Sequence, residues 1–258
     1  MKRFLPLMLL LATLSGMPGA QAADLSKLRV GVEGAYPPFS TVGPDGKLQG
    51  FDIDIANALC TEMKARCTLV QQEFDGLVPS LQSRKFDLVV ASMAITPERL
   101  KVVAFTDKYY NSANKLIAKT GSPIDGTPAR FKGTRIGVQR TTINDRYVTA
   151  KFTEATIVRY ASQDEVYLDL AADRIDATMV DGIAGDIGFL KTPAGKGFGF
   201  VGPDYRDPEY FGAGAGIALR QGDTELRDRL NAAIKAIRAN GTYQKLAAKY
   251  FNYDIFGQ

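Results

Sequence analysis

The chain has 258 residues, 45% of them hydrophobic, and this length suits two domains of about 100 residues each. Lys and Arg outnumber Asp and Glu only by 32 to 28 and form no basic run, so we expect no nucleic-acid partner. The chain has no histidine, and its two cysteines alone do not complete a tetrahedral metal shell, so we expect no metal and no cofactor.

The N-terminus has the layout of a secretory signal peptide. Lys2 and Arg3 give a positive start, an apolar stretch follows at 5–14, and Ala20-Gln21-Ala22 is a small-x-small cleavage site. The apolar stretch is shorter than the about 20 residues of a membrane-spanning helix, although an uncleaved anchor is the alternative. We therefore predict a signal peptide over 1–22, with cleavage after Ala22, and an exported mature chain.

The first half of the mature chain alternates strands and helices. The pattern predicts strands at 28–32, 68–70 and 87–90, and helices at 52–64 and 76–81. This β-α-β-α-β order favours a mainly parallel sheet with right-handed crossovers.

The same pattern then restarts. Predicted strands at 135–138, 156–159 and 176–180 alternate with predicted helices at 142–151 and 163–171. Each half is therefore expected to form its own small Rossmann-like α/β unit.

Two stretches without helical period, at 109–119 and 210–216, flank the second half, and two helices follow at 225–239 and 242–250. The chain is thus expected to leave a first lobe, build a second and return, which makes a two-segment hinge. We predict an α/β fold of two Rossmann-like lobes, in which the first part of lobe 1 spans 23–110, the hinge 111–114, lobe 2 115–205, the second hinge segment 206–214, and the returning part of lobe 1 215–258.

The two cysteines, Cys60 and Cys67, stand seven residues apart. In an exported chain this spacing favours a disulfide, with two buried free thiols as the alternative.

Ligands of parallel α/β sheets bind beyond the carboxyl ends of the strands, and motifs stand at those positions here. They resemble the polar amino-acid-binding proteins of ABC importers, solute-binding protein family 3. The motifs are Glu33–Phe39 with Gly50–Asp54, Phe74–Leu81, Ala91–Arg99 and Gly241–Tyr243. The cysteine pair and the run Phe189–Lys196 bring the chain closest to the lysine/arginine/ornithine- and histidine-binding members.

The resemblance implies a periplasmic binding protein fold of type II and a periplasmic location. It further implies that the chain acts as a monomer, binds a small-molecule amino acid and delivers it to the membrane permease of an ABC importer.

The resemblance also implies which residues hold the ligand's amino-acid head. Arg99 would bind the α-carboxylate, because a planar guanidinium matches a carboxylate with paired donors. Ser92, the N–H of Ala94 and Thr142 would add hydrogen bonds. Asp181 would bind the α-ammonium, although an N-cap of the following helix is an alternative role.

The ligand side chain would lie between the rings of Tyr36 and Phe74, which otherwise would be ordinary core residues. Glu33 stands where relatives that bind lysine, arginine or ornithine carry Asp, so it would meet a second positive charge; a solvent-facing acid is the alternative. Asp52 is expected to cap its helix, or else to add negative potential near the site.

Several positions depart from the relatives and leave the ligand open. Ala91 and Ala94 replace hydroxyl residues, Gln139 an apolar residue, Ile143 a Thr and Asn144 a Gln; Thr141 replaces a Gly. The full predicted ligand-binding set is Glu33, Tyr36, Phe74, Ala91, Ser92, Ala94, Arg99, Gln139, Thr142, Ile143, Asn144 and Asp181.

We therefore expect a binder of arginine, lysine, ornithine or histidine, with opines or neutral polar amino acids as the alternative. Asp181 favours a free α-amino group over the substituted nitrogen of an opine. Periplasmic dehydratases share the fold, but this chain has no histidine and Glu33 and Asp181 are explained as ligand contacts, so we expect no enzyme.

Overall fold

The computed structural model describes residues 25–257, so the predicted signal peptide lies outside the described residues. Within that range no helix is long and apolar enough to cross a membrane. The first part of the chain forms, in order, β1 (Lys27–Val32), β2 (Ala35–Tyr36), β3 (Ser40–Val42), β4 (Leu48–Gln49), α1 (Phe51–Glu62), β5 (Arg66–Gln71), α2 (Phe74–Gln82), β6 (Leu88–Val89) and β7 (Ala104–Tyr110).

The remainder builds a second unit and then returns. Its elements are β8 (Asn114–Lys119), β9 (Arg135–Gln139), α3 (Ile143–Lys151), β10 (Thr156–Tyr160), α4 (Gln163–Ala171), β11 (Ala177–Asp181), α5 (Gly182–Gly185), β12 (Phe198–Tyr205), α6 (Pro208–Phe211), β13 (Ala215–Leu219), α7 (Thr224–Ala239) and α8 (Thr242–Ala247).

Two five-stranded sheets carry the fold, one in each lobe. The first has the order β5-β1-β6-β13-β7, and the second has the order β10-β9-β11-β8-β12. In each sheet the strands predicted from the sequence pair in parallel. Of the strands near the crossings, β8 and β13 pair antiparallel to β11 and β6, and β12 and β7 pair antiparallel to β8 and β13. The predicted two-lobe α/β architecture is therefore confirmed.

The chain passes between the sheets twice, after β7 and after β12. The second passage contains α6, whose Phe211 ring lies 4.8 Å from the ring of Tyr147 on α3. Gly212 ends this short helix with φ +70°, and a Cβ there would collide with the carbonyl of Ile95. A glycine is therefore required where the returning chain approaches lobe 1. The exact hinge and lobe boundaries stay predictions.

The returning helix α7 shows why lobe 1 is one unit in space. Its buried residues recur at helical spacing, so that one face packs into the core that also contains α1 and β1. These residues are Leu226, Leu230, Ala233, Ile234 and Ile237. Near the C-terminal end of α1, Cys60 forms a disulfide with Cys67 of β5, which confirms the predicted disulfide.

Candidate functional site

A cavity lies between the two lobes at the carboxyl ends of β1, β6, β9 and β11. It encloses about 620 Å³ between atoms, its open mouth included. Every residue that the sequence predicted to bind ligand lines this cavity: Glu33, Tyr36, Phe74, Ala91, Ser92, Ala94, Arg99, Gln139, Thr142, Ile143, Asn144 and Asp181. The structure thus brings them together from both lobes, and their individual roles toward a ligand stay predictions.

Further lining residues were missed from the sequence. Most belong to the two crossings, whose lack of period marked them only as connections; they are Tyr110, Asn111, Ser112, Asn114, Phe211, Gly214 and Ala215. Gln163 also lines the cavity, as the first residue of α4 directly after a predicted strand. Its place after a strand end was the signal that identified its neighbours and would have identified it too.

Arg99 brings a positive charge to the cavity wall. Its Nη1 donates to the carbonyl of Ala94 at 3.1 Å, and its guanidinium lies 5.5 Å from the ring centre of Phe74. Within residues 25–257 it forms no ion pair with a carboxylate. Burial lowers the pKa of Arg99 to about 10, so it remains charged at neutral pH. A buried cation without an anionic partner is suited to bind an anionic ligand group.

The backbone of Ala94 faces the same region. The N–H of Ile95 donates to Gly214 at 2.8 Å and the N–H of Gly216 donates to Met93 at 3.0 Å, as in an antiparallel ladder. Ala94 lies between Met93 and Ile95, so its own N–H and carbonyl point away from that ladder. Because the carbonyl of Ala94 meets Arg99, its N–H also points to the side of Arg99, and its contact with a ligand stays a prediction.

The expectation that Asp52 caps its helix is wrong. Gly50 is the N-cap of α1, and no side chain caps this end. The carboxylate of Asp52 is buried and accepts hydrogen bonds from the hydroxyls of Tyr109 at 2.7 Å and Ser92 at 2.9 Å. Burial raises the pKa of Asp52 to about 7, against the effect of these two hydrogen bonds. Asp52 thus fixes the loop after β6, where Ser92 has a left-handed φ of +49°.

Glu33 is buried after β1 and contacts the other lobe. Its Oε1 accepts a hydrogen bond of 2.6 Å from Nε2 of Gln139, at the end of β9. Burial raises the pKa of Glu33 to about 7, the hydrogen bond from Gln139 lowers it, and the carboxylates of Asp52, Asp164 and Asp75 raise it further. A cation placed against Glu33 would favour its ionised form.

Asp181 serves as a helix cap and also lines the cavity. Its Oδ1 accepts from the N–H groups of Ile183 at 2.8 Å and Ala184 at 3.2 Å, so it caps α5. Burial raises its pKa to about 6, and hydrogen bonds from Ala184, Ser112 and others oppose this shift. A second negative group therefore faces the space between the lobes.

Thr142 caps α3 with its side chain. The hydroxyl donates to the carbonyl of Gln139 at 2.7 Å and accepts from the N–H of Asp145 at 3.2 Å, so it is engaged within lobe 2. The first backbone N–H groups of a helix have no partner inside the helix and carry positive dipole charge. Ile143 and Asn144, the first two residues of α3, line the cavity, so this helix end suits a carboxylate.

Buried polar atoms in the cavity wall lack hydrogen-bond partners among the described residues. They are Oδ1 of Asn114, Oδ1 of Asn144 and Nε2 of Gln163. An unpartnered buried polar group is unfavourable by about 1–3 kcal/mol, so such groups are concentrated where a ligand or water completes them. With Glu33 and Asp181, the wall presents mainly acceptors, which suits a ligand rich in N–H donors.

At the mouth of the cavity, ion pairs join the lobes. Arg140 donates to Asp75 at 2.5 Å and to Glu73 at 2.9 Å, and Arg146 pairs with Glu98 at 2.7 Å. These side chains are partly or largely exposed, unlike the contact between Glu33 and Gln139.

Comparison with known proteins places the chain among binding proteins. Residues 28–253 match the family model of bacterial extracellular solute-binding proteins, family 3. The chain is 51% identical over 238 residues to an L-arginine-binding protein of Pseudomonas aeruginosa, covering 92% of each chain. It is 41% identical over the full length of both chains to a lysine/arginine/ornithine-binding periplasmic protein of Escherichia coli.

A solved structure gives the same picture. The Salmonella typhimurium periplasmic binding protein described as highly specific for arginine matches with a TM-score of 0.81 and 34% identity. The match covers 88% of this chain and 99% of that one.

Proposed function

The chain belongs to family 3 of the bacterial extracellular solute-binding proteins, and on this premise we propose that it captures a free basic L-amino acid between its two lobes. It is a binding protein and not an enzyme, and it delivers its ligand to the permease of an ABC importer. Its relatives are periplasmic. We further propose that this chain is exported to the periplasm by a signal peptide that is cleaved after Ala22. There it would act as a monomer and bind no nucleic acid.

The observation that carries this proposal is the distribution of charge around the cavity. Among residues 25–257, Arg99 is a desolvated cation without an anionic partner, and Glu33 and Asp181 are desolvated carboxylates without a cationic one. A basic amino acid carries one carboxylate and two cations. Arg99 would therefore bind the α-carboxylate, Asp181 the α-ammonium and Glu33 the charged end of the side chain.

The remaining lining residues support this orientation. The N–H of Ala94 and the start of α3, with Thr142, Ile143 and Asn144, would complete the carboxylate's hydrogen bonds. Tyr36 and Phe74 would flank the aliphatic stem. Ser92, Ala91 and Gln139 would close the wall around it.

Closure about the two crossings would follow from binding. We propose that 111–114 and 206–214 act as the hinge between a lobe of 23–110 with 215–258 and a lobe of 115–205. A ligand that touches Arg99 on one lobe and Asp181 on the other favours the closed arrangement by its contacts to both.

A thermal-shift panel tests the ligand class. Arginine, lysine, ornithine and histidine are compared with glutamine and octopine, each at saturating concentration. A ligand at 100 times its dissociation constant adds about 2.7 kcal/mol to the free energy of unfolding, which such a screen detects. Stabilisation by basic amino acids supports the proposal. Stabilisation by glutamine or octopine alone would assign the protein to the neutral or opine class instead.

A further inference from the structure

Gln139 occupies a position between Glu33 and the backbone of lobe 2. Its Nε2 donates to Oε1 of Glu33 at 2.6 Å and to the carbonyl of Ala161 at 3.1 Å. Both amide hydrogens are therefore used, and both partners are acceptors. Rotating the amide by 180° would place its oxygen against a carboxylate and a carbonyl, so the hydrogen bonds fix its orientation.

The fixed orientation leaves one polar atom of the amide for the ligand. Gln139 is only 3% exposed and lines the cavity, and its carbonyl Oε1 is the polar atom that neither of these hydrogen bonds uses. Oε2 of Glu33, which Gln139 does not contact, is the second acceptor at this place. The side-chain end of the cavity thus offers neighbouring acceptors from two lobes, one ionic and one neutral.

We propose that Gln139 is the specificity-determining residue that tunes this end of the cavity to a planar guanidinium, and so to arginine over lysine and ornithine. This inference rests on the proposed function and refines it. A guanidinium carries five N–H donors in a rigid fork, so it can meet both Glu33 and Gln139 at once. A lysine or ornithine ammonium is a compact charge that needs only Glu33.

Gln139 also positions Glu33. Its hydrogen bond to Oε1 comes from the opposite lobe, so Gln139 would orient the carboxylate of Glu33 only while the lobes are closed. An arginine bound to both residues therefore adds a link between the lobes that lysine lacks. The structure thus couples the choice of side chain to closure.

The test compares Gln139→Leu with the parent by calorimetric titration of arginine, lysine and ornithine. Leu is close in size and removes both polar atoms. We expect arginine to bind roughly 10-fold or more weakly, since a hydrogen bond to its charged group is lost. At a pH well above the pKa of Glu33, lysine and ornithine should lose less affinity than arginine does, so the preference for arginine falls.

Thr178→Val is the matched control, because Thr178 of β11 is another buried polar residue of lobe 2 that is not among the residues lining the cavity. It should leave the ratio of arginine to lysine affinity unchanged. A second measurement is the pH profile of lysine binding. Loss of the hydrogen bond that lowers the pKa of Glu33 should move the midpoint of that profile upward in Gln139→Leu.

The outcomes separate the two proposals. A parent that binds no basic amino acid would overturn the proposed function, and this inference with it. A parent that binds arginine, combined with an unchanged arginine-to-lysine ratio in Gln139→Leu, would overturn this inference alone. Equal loss of the ratio in Thr178→Val would overturn it as well.

Discussion

Polar contacts join the lobes in two places that differ chiefly in their exposure to water. Inside the cavity, Glu33 and Gln139 are 4% and 3% exposed. At the mouth, the side chains of Arg146 and Glu98 are 32% and 63% exposed. Exposed ion pairs are screened and contribute about 0–1 kcal/mol, whereas desolvated groups depend strongly on a complete set of partners. The cavity contacts should therefore decide which ligand binds. The exposed ion pairs at the mouth, called the rim below, should only adjust the affinity for that ligand.

The largest effect should come from Arg99 in the cavity. Arg99→Ala removes the cation expected to bind the α-carboxylate, and loss of one partner of a buried pair typically weakens binding by about 2–5 kcal/mol. Calorimetric titration should show a similar loss for arginine, lysine and histidine, because all share the carboxylate. A loss confined to one of these ligands would assign Arg99 to side-chain recognition instead.

Binding should release protons near neutral pH. Burial holds the pKa of Glu33 at about 7 and that of Asp181 at about 6, so both carboxyls are partly protonated in the free protein there. Cationic groups of the ligand lower these pKa values, so protons leave and affinity falls as pH drops from 8 to 5.5. Calorimetry at pH 6.5 in two buffers of different ionisation enthalpy measures the number released.

The control for this prediction is Glu33→Gln, which should release fewer protons. Proton uptake by the parent, or identical release by both proteins, would contradict the role of Glu33. Asp52 also has a pKa of about 7 and lies near Glu33, but it is held by Tyr109 and Ser92. We expect it to contribute less than Glu33.

At the rim, Arg146→Ala removes the exposed ion pair with Glu98 across the cleft. The affinity for arginine should fall by less than about 5-fold, and the difference should shrink further at high salt. Titration at two salt concentrations checks this. A loss comparable with that of Arg99→Ala would show that the rim controls closure and would break the distinction drawn above.

The smallest effect concerns Thr141, beside the same rim, which has a left-handed φ of +60°. That conformation is unfavourable for a β-branched residue by roughly 1–2 kcal/mol, while glycine is unstrained there but gains entropy in the unfolded chain. Thr141→Gly should therefore raise the free energy of unfolding slightly, by about 0.5 kcal/mol, without changing ligand preference. A clear destabilisation in thermal unfolding would show that Thr141 has contacts that outweigh its backbone strain.

Local patterns in the sequence predicted the parallel strands, and the motifs at the strand ends predicted twelve of the twenty residues that line the cavity. Of the strands in the two five-stranded sheets, β7, β8, β12 and β13 were not predicted, because they lie in stretches whose burial comes from pairing with distant strands. Asp52 was misassigned for a similar reason. Its partners Ser92 and Tyr109 are 40 and 57 residues away, and no local signal distinguishes a buried acceptor from a cap.

The contact between Glu33 and Gln139 spans 106 residues and joins two lobes, so only the folded chain reveals it. The sequence placed both residues at strand ends, which was enough to predict that they line the site. It could not predict that one would orient the other. The specificity that we propose for this site therefore rests on a pairing that neither motif contains.

The central claim, that Glu33 selects a positively charged side chain, is tested most directly by calorimetric titration of Glu33→Gln with arginine and with glutamine. The variant keeps the size of the side chain and removes its charge. Arginine should bind about 10-fold or more weakly than to the parent, a change of about 1.4 kcal/mol or more, and glutamine should change much less. If Glu33→Gln binds arginine as tightly as the parent does, the assignment of a basic ligand is contradicted.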